Sequence, residues 1–254
     1  MPFENDPNAP PRPWGGPVPE PPRSQPAGRN KVRWLSVAFL VLTLTLVGGR
    51  AFRDLSRPQA WAYWKDLYFT PTLSASIVRS VDIPGVGHHA ALAVTGKIGP
   101  AAAVWFRSQL DQAGLAAGDV VVFSSPGGDV GQAVIIGEVI HARGLATAVG
   151  VVDAAGRLRP SYCASACVLA YAGGNVRLGV TGSLLGVHRF TTEASGRDLV
   201  ADTQRTAGFI LGYLTRMGVS SALLEAMSAT AEIRWLDARQ AIDMRLVTDP
   251  LDRS

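Results

Sequence analysis

Two neighbouring segments in the middle of the chain carry different hydrophobic patterns. The first, DVVVFSS (119–125), is a continuous run of mainly β-branched residues, which is typical of a parallel strand buried on both faces of a sheet. In the second, residues 132–143, small or apolar side chains recur at intervals of three and four, which predicts a helix with one packing face. These side chains are Ala133, Ile136, Gly137 and Ile140.

The alternation of strand and helix patterns continues on both sides of this pair. ALAVTGKI (91–98) predicts the first strand of the fold, and AAAVWFRSQLDQAG predicts a helix closed by Gly114. Downstream we expect a strand in GLATAVGVV, a helix in ASACVLAYAGG, a strand pair or one bent strand in VRLGVTGSLLGVHRF, a long helix in RDLVADTQRTAGFILGYLTRMG and a shorter one in SSALLEAMSAT. Strands that alternate with helices imply right-handed crossovers, so the predicted fold class is α/β, with a layered, mostly parallel sheet built from βαβ units.

An uncharged apolar segment near the N-terminus, WLSVAFLVLTLTLVGG (34–49), is the membrane candidate of the chain. At about 1.5 Å per residue it covers about 24 Å of a hydrocarbon layer of roughly 30 Å, so flanking arginines would have to snorkel. A single-pass signal anchor fits this segment best, with a cleaved secretion signal and a buried core helix as the alternatives.

The segment divides the chain into four predicted parts. Residues 1–33 are rich in proline, which favours a disordered, solvated arm. Residues 50–80 mix aromatic and basic side chains and form a juxtamembrane connector, and residues 81–254 form the α/β domain. A short arm before a large domain favours export of the domain, which would be periplasmic in a Gram-negative bacterium.

Charge and composition narrow the classes of partner. The 254 residues carry a formal net charge of +4, and the arginines are scattered rather than arranged in a basic stripe between aromatics. This pattern argues against nucleic acid as a partner, while anionic lipid head groups explain the basic residues around the apolar segment. The two cysteines and one nearby histidine do not make a zinc site, and no cofactor is expected.

Ser165 is the candidate nucleophile, because SYCASACVLAYAGG places it in the first turn of a predicted helix. The first N–H groups of a helix lack partners within the helix, and the helix dipole makes that end electropositive. An oxyanion formed there would be stabilised, with the Ala166 amide as one donor. A second donor is expected from Gly127 or Gly128 in SSPGGDV, since glycine lets a bare backbone turn toward a carbonyl.

His188 in LLGVHRF is the candidate general base, because an imidazole exchanges protons near neutral pH. His88 and His89 lie in a glycine-rich segment and His141 lies near a helix end, places that suggest solvent exposure rather than chemistry. Taken alone, the Ser165 segment, the SPGG loop and the His188 strand each also fit an ordinary structural role.

In this order, the three elements resemble the caseinolytic protease ClpP and its relatives in the ClpP/crotonase superfamily, over roughly residues 90–250. SPGG is similar to the oxyanion loop of the family, CASAC to its alanine-flanked nucleophile, and GVHRF to its catalytic histidine strand, 23 residues beyond the serine. The closing segment, IRWLDARQAIDMRLVTD, resembles the C-terminal signature of the family.

The resemblance implies a role for each matching residue. Ser165 becomes the nucleophile, His188 its base, and Gly127 or Gly128 the partner of Ala166 in the oxyanion hole. The family places an acid where this chain has Ile233, and Glu232 is adjacent, so the third catalytic group is either Glu232 reached through a bulge or absent, leaving a Ser-His dyad.

Two related chemistries and one thiol reaction fit the sequence less well. A membrane-bound branch that resembles signal peptide peptidase A uses lysine, but no lysine follows Ser165, and Lys97 is the one lysine of the predicted domain. Crotonase enzymes act on acyl-CoA, for which we find no specific feature. Cys163 and Cys167 would be too far apart for a disulfide if both lay on one helix, so we expect them to be packing residues, with a cysteine nucleophile as an alternative.

The sequence therefore predicts a membrane-anchored, ClpP-like serine hydrolase that cleaves peptide bonds. The alternative is a catalytically silent module that binds peptides or acts as a scaffold. ClpP-type domains usually form rings, so the resemblance also implies self-association. The expected partners are a peptide or protein substrate and the membrane contacted by residues 34–49.

Overall fold

The computed structural model describes residues 29–190 and 198–251. The chain divides into two compact units, Met1–Arg53 and Asp54–Ser254. The first contains most of helix α1 (Arg29–Leu55), whose 27 residues extend about 40 Å at about 1.5 Å per residue. Its stretch Arg33–Leu55 is long and apolar enough to cross a membrane, a property that signal sequences share.

Helix α1 is longer than the apolar segment that predicts it. The helix includes residues 29–33, which the sequence assigns to the disordered arm, and residues 50–55, which it assigns to the connector. A helix, once nucleated, extends at little cost through flanking residues that favour it. Residues 1–28 of the predicted arm lie outside the described residues.

The second unit is a mixed α/β domain. Its helices are α2 (Pro58–Trp64), α3 (Ala102–Ala113), α4 (Val130–Ala142), α5 (Ala166–Ala172), α6 (Leu199–Arg216), α7 (Ala222–Ser228) and α8 (Ala238–Asp243), with a π-helical turn at Lys65–Phe69 directly after α2. Its strands are β1 (Leu73–Ile83), β2 (Gly87–Gly96), β3 (Val120–Ser124), β4 (Ala146–Val149), β5 (Val151–Val152), β6 (Leu158–Arg159), β7 (Tyr162–Ala164), β8 (Arg177–Gly179), β9 (Leu184–Val187), β10 (Arg234–Leu236) and β11 (Asp249–Pro250).

The main sheet has six strands in the order β1-β2-β3-β4-β8-β11. All neighbours after β2 pair in parallel, which confirms the predicted α/β class with a mostly parallel sheet. Strand β1 is antiparallel to β2 and contains residues 73–80 of the predicted connector, so the sheet begins before the predicted domain start at Val81. This edge strand has few fully buried positions, which explains its weak hydrophobic pattern.

Strand β3 is buried on both faces, as its continuous apolar run predicts. Val121 and Phe123 face a core formed with the helices, and Val120 and Val122 face a smaller cluster on the other side of the sheet. The predicted packing face of α4 is buried as well. The central strand and helix are therefore fixed from both sides, and the loop between them starts and ends at rigid elements.

A second sheet, in the order β10-β9-β7, is the part that positions the candidate site. The segment predicted as a strand pair or one bent strand is two strands that do not pair with each other, because β8 joins the main sheet and β9 joins the small one. Strand β9 is parallel to β7 and antiparallel to β10, with Ala164 paired to Gly186. This pairing joins the strand before Ser165 to the strand before His188.

A buried arginine ties together the loops beneath the helices. The Arg177 guanidinium donates to four carbonyl oxygens, those of Gly174, Met217, Arg245 and Leu246, at 2.8–3.2 Å. Burial lowers the pKa of Arg177, and the hydrogen bonds satisfy its donors in place of water. The side chain thus fixes the ends of α5, α6 and α8 relative to one another.

Asp153 organises the turn between β5 and β6. Its carboxylate accepts hydrogen bonds from the backbone amides of Ala155 and Arg157 and from the side chains of Arg157 and Arg159. The Arg157 amide bond is the largest influence, and with the other bonds it lowers the pKa of Asp153 to about 2. The turn is therefore strongest when this carboxylate is charged.

Candidate active site

The SPGG loop lies between two backbone segments that hold it in place. Ser125 donates its amide to the Tyr162 carbonyl and accepts from the Ala164 amide, both at 3.0 Å, so the loop starts against β7. On its other side, the Ile98 amide donates to the Gly127 carbonyl and the Asp129 amide to the Ile98 carbonyl, both at 2.8 Å. These four bonds fix the loop beside Ser165.

Ser165 lies at a sharp turn between β7 and α5, one position before the helix rather than inside its first turn. Its backbone has φ 58° and ψ −128°, a conformation that costs a non-glycine residue on the order of 1–3 kcal/mol. Its neighbours Ala164 and Ala166 are buried, while Ser165 is partly exposed. A strand-turn-helix of this kind presents a nucleophile at its tip. Within the described residues, the Ser165 hydroxyl has no hydrogen-bond partner.

Gly127 is held against this turn so closely that no side chain fits. A Cβ on Gly127 would lie 2.5 Å from the Ala164 carbonyl oxygen and 2.8 Å from the Ser165 Cβ, and its φ is 92°. The Gly127 amide donates to the Ser125 hydroxyl at 3.0 Å, so this N–H is already used. Gly127 therefore shapes the turn but does not offer a free donor.

The Gly128 and Ala166 amides are the free donors at this place. Neither N–H has an acceptor among the residues that the structure describes. Gly128 has φ 145°, and a Cβ there would lie 2.1 Å from the Ile98 carbonyl oxygen, so only glycine fits. Of the two glycines that the sequence leaves open, the structure favours Gly128 as the partner of Ala166.

His188 follows directly on strand β9, and a backbone hydrogen bond connects this strand to Ser165. The Ser165 amide donates to the Gly186 carbonyl at 2.8 Å, two residues before the histidine. The Nδ1 of His188 lies 2.7 Å from the Arg189 carbonyl oxygen. A carbonyl oxygen only accepts, so Nδ1 carries the hydrogen, and Nε2 of the neutral ring is left as the free base.

One cavity of about 280 Å³ brings these groups together. It is lined by Ser165, His188, Gly127 and Gly128, with Lys97 and Phe190 among its other walls. An adjoining groove of about 680 Å³ shares the Lys97, Gly128 and Phe190 walls and adds the ring of Phe209. The exposed Lys97 side chain has no hydrogen bond or ion pair to the described residues. Sequence reasoning missed both phenylalanines, because their contribution depends on how α6 folds back over the loop.

Glu232, the predicted third catalytic residue, is not joined to His188. Its exposed carboxylate forms no hydrogen bond or ion pair within residues 29–190 and 198–251. Strand β10 pairs Arg234 with Val187, and continuing this register places Ile233 opposite His188. An apolar residue therefore occupies the place next to the histidine, and Glu232 lies in a bend before β10.

Cys163 and Cys167 form a disulfide, which corrects the expectation that they are unpaired packing residues. Their Cα atoms are 5.3 Å apart, and both side chains are fully buried. The expectation assumed that both residues lie on one helix, but Cys163 belongs to β7 and Cys167 to α5. The turn at Ser165 folds the two elements toward each other, so the disulfide bridges Ser165. A cysteine nucleophile is thereby ruled out in this oxidised form.

The remaining histidines lie away from the cavity. His88 and His89 are on β2, where His88 Nδ1 is 3.3 Å from the Ser80 hydroxyl, and His141 is exposed near the end of α4. Of the four histidines, His188 is the one that lines the cavity with Ser165.

Comparison with known proteins finds a likeness to solved structures and none to curated sequences. No protein-family model matches the chain, and no curated protein sequence matches it. Among solved structures, a mutant of ClpP1 from Listeria monocytogenes is similar, with 17% sequence identity and a TM-score of 0.48. The similar region covers 64% of this chain and 91% of that chain.

Proposed function

We propose that this chain is a membrane-anchored serine hydrolase that cleaves peptide bonds. The observation that carries the proposal is one cavity lined by a strained serine, a histidine with a free Nε2 and Gly128, whose amide has no acceptor within the described residues. A strained non-glycine residue persists only where its surroundings hold it, and such residues cluster at active sites. Each group alone has a structural explanation, but a serine hydrolase needs all of them at one place.

The reaction follows from the positions of these groups. The Ser165 hydroxyl attacks the substrate carbonyl while His188 Nε2 accepts its proton. The Gly128 and Ala166 amides stabilise the oxyanion, and one such donor is worth about 3–4 kcal/mol in known hydrolases. His188 then returns the proton to the leaving amine. Water next attacks the acyl-enzyme while His188 accepts its proton, and His188 returns that proton to the Ser165 oxygen as the acid product leaves.

The histidine is oriented by a backbone carbonyl instead of a carboxylate. The Arg189 carbonyl fixes the ring and the tautomer, which is one part of the task of a catalytic acid. It carries no charge, so it stabilises the imidazolium less than a carboxylate would. We therefore propose a Ser165-His188 dyad with slow turnover, in which Glu232 has no catalytic role.

The groove beside the cavity supports a polypeptide substrate. Phe190 and Phe209 give it apolar walls, and the free Gly128 amide stands where the groove and the cavity meet. An extended segment in the groove would bring its carbonyl to Ser165 and place a bulky apolar side chain against the two rings.

The disulfide supports a location of the domain outside the cytoplasm. Disulfides persist in oxidising compartments and are rare in the cytosol. With α1 as the anchor, we propose a single-pass protein whose C-terminal domain faces the oxidising side of the membrane. Cysteine alkylation in intact cells, with and without prior reduction, measures whether the bond is formed.

A fluorophosphonate probe tests the hydrolase directly. It should label the wild-type chain, label Ser165→Ala not at all, and label His188→Ala at least about 100-fold more slowly. Ser221→Ala is the matched control, because Ser221 also precedes a helix and makes no capping bond, but has an ordinary φ of −59°. Equal labelling of the wild type and Ser165→Ala would refute the proposal.

The alternative is a peptide-binding module without turnover. The absence of a carboxylate beside His188, within the described part of the chain, is the observation that favours it. The two functions separate when the probe labels no variant while Ser165→Ala and the wild type bind unfolded polypeptides equally well.

A further inference from the structure

The segment Pro58–Phe69 has an amphipathic pattern opposite to that of a helix on a soluble protein. Its outer side carries Trp61, Trp64, Tyr68 and Phe69, which are 41–70% exposed. We call these four residues the aromatic face. Trp64 stacks on Tyr68 with ring centroids 5.3 Å apart, and Trp61 lies 6.4 Å from Phe69. The four rings thus form two contacting pairs on one short segment rather than scattered exposed residues.

The inner side of the same segment holds a buried acid. Asp66 is 7% exposed, and its carboxylate accepts the Thr72 amide at 2.9 Å, the Thr72 hydroxyl at 2.7 Å and the Ala101 amide at 3.0 Å. These bonds fix the segment to the start of β1 and the start of α3. The aromatic face is therefore held rigidly outward, and it cannot turn inward to bury its rings.

The position of the segment in the chain indicates what covers the aromatic face. The candidate membrane span ends at Leu55, and Pro58 begins α2 three residues later. Three Cα–Cα steps reach at most about 11 Å, so a spanning α1 keeps the segment next to the bilayer surface. Lys65 lies within the segment and is exposed, and its charge matches anionic head groups, whereas the exposed Arg57 lies 3.9 Å from the Asp54 carboxylate.

We infer that the aromatic face lies in the interfacial layer of the membrane, where its four rings contact lipid and fix the orientation of the domain. Tryptophan and tyrosine favour this layer because their rings are apolar with a polar edge. The inference rests on the membrane anchoring proposed above and requires no catalytic activity.

Asp66, which fixes the segment Pro58–Phe69 to the domain, also lies next to the substrate groove. Gly99 lines the groove, and a Cβ on it would lie 2.3 Å from the Asp66 Oδ2. The buried acid thus lies directly behind the groove wall. A membrane contact through the aromatic face consequently sets the distance of the groove from the bilayer.

Hydroxyl-radical footprinting of the unmodified full chain tests whether the face is covered. The chain is reconstituted in vesicles of equal parts phosphatidylcholine and phosphatidylglycerol. Trp64 and Trp235 form a matched pair, because they are 41% and 43% exposed in the protein itself. We expect Trp64 to be oxidised several-fold more slowly than Trp235. Equal oxidation rates would overturn the inference.

Brominated lipids show whether lipid or protein covers the aromatic face. In vesicles with brominated acyl chains, Trp61→Phe/Trp64→Phe should lose part of the quenchable fluorescence of the wild type, whereas Trp235→Phe should not. If Trp64 is protected from oxidation but the double variant is quenched like the wild type, a protein covers the face, and the inference is wrong.

Carbonate extraction of the same vesicles reports the anchor separately. A chain that is released by carbonate lacks a spanning α1, and this result removes the basis of the inference. Neither footprinting nor quenching involves hydrolysis, so Ser165→Ala should give the wild-type result in both. A failure of the proposed peptidase is thereby distinguished from a failure of the membrane contact.

Discussion

The Cys163–Cys167 disulfide bridges the strained backbone of Ser165, and breaking it is expected to slow the reaction of this serine. The bond joins residues with a sequence separation of 4. In the chain-entropy model, closing so short a loop stabilises the folded state by about 2 kcal/mol. The backbone conformation of Ser165 costs on the order of 1–3 kcal/mol. The two magnitudes are similar, so the bridge offsets much of the strain that the turn imposes.

Loss of the bridge should therefore affect both stability and reactivity. We expect the free energy of unfolding to fall by about 2 kcal/mol. If all of that energy is used to hold the turn, labelling by a fluorophosphonate probe slows by up to about 30-fold, since 1.36 kcal/mol is a factor of ten. Urea unfolding measures the first quantity, and the rate of probe labelling measures the second.

The chain offers clean controls for this experiment because it has two cysteines. The double variant Cys163→Ala/Cys167→Ala should behave like the reduced wild type and should not respond to dithiothreitol. Mass spectrometry of alkylated samples shows when both thiols are free. If the reduced chain then reacts with the probe at the rate of the oxidised chain, the bridge does not support the turn, and the reasoning is refuted.

Further substitutions test other parts of the structure. Glu232→Gln should leave probe labelling unchanged, whereas His188→Ala should slow it at least about 100-fold; an equal loss in both would restore Glu232 as a catalytic residue. Gly128→Ala should abolish labelling, because its Cβ would lie 2.1 Å from a carbonyl oxygen, and circular dichroism shows whether the fold remains. Arg177→Met should destabilise the domain by at least about 3 kcal/mol in urea, because four carbonyls lose their donor at about 1–3 kcal/mol each when left unsatisfied. Since hydrogen bonds lower the pKa of Asp153 to about 2, its contribution to stability is present above about pH 4 and is lost as the pH falls toward 2. Acid unfolding of Asp153→Asn should therefore be less steep than that of the wild type in this interval.

The sequence predicts the central part of the fold well, because the burial of its elements is complete. Strand β3 and helix α4 show their periods clearly, since one is buried on both faces and the other on a single face. Strand β1 is missed as part of the sheet because it lies at an edge, where few positions are fully buried and the apolar signal is weak.

In the candidate site, too, features that depend on a local sequence pattern are predictable, and features that depend on strand register or exact element boundaries are not. Ser165 and the two glycines are predicted from local patterns, because each lies where a strand gives way to a helix, and their roles stay predictions. The disulfide is missed because it depends on Cys163 lying in a strand, and the helix that contains Cys167 begins only at Ala166. The separation of Glu232 from His188 depends on the register between β9 and β10, which no local pattern fixes.

The proposed chemistry depends most on the parallel pairing of β7 and β9. Ser165 and His188 are 23 residues apart in sequence, but the pairing of Ala164 with Gly186 brings their strands into adjacent positions. The amide of Ser165 completes this pairing by donating to the Gly186 carbonyl. A slip of one residue would turn the His188 ring to the opposite face of the sheet. Gly186 resists such a slip, because Ile233 and Trp235 pack so closely over it that a Cβ would lie 2.6–2.8 Å from their side chains. The apolar residue that replaces the expected acid thus helps to hold the register on which the Ser165-His188 pair depends.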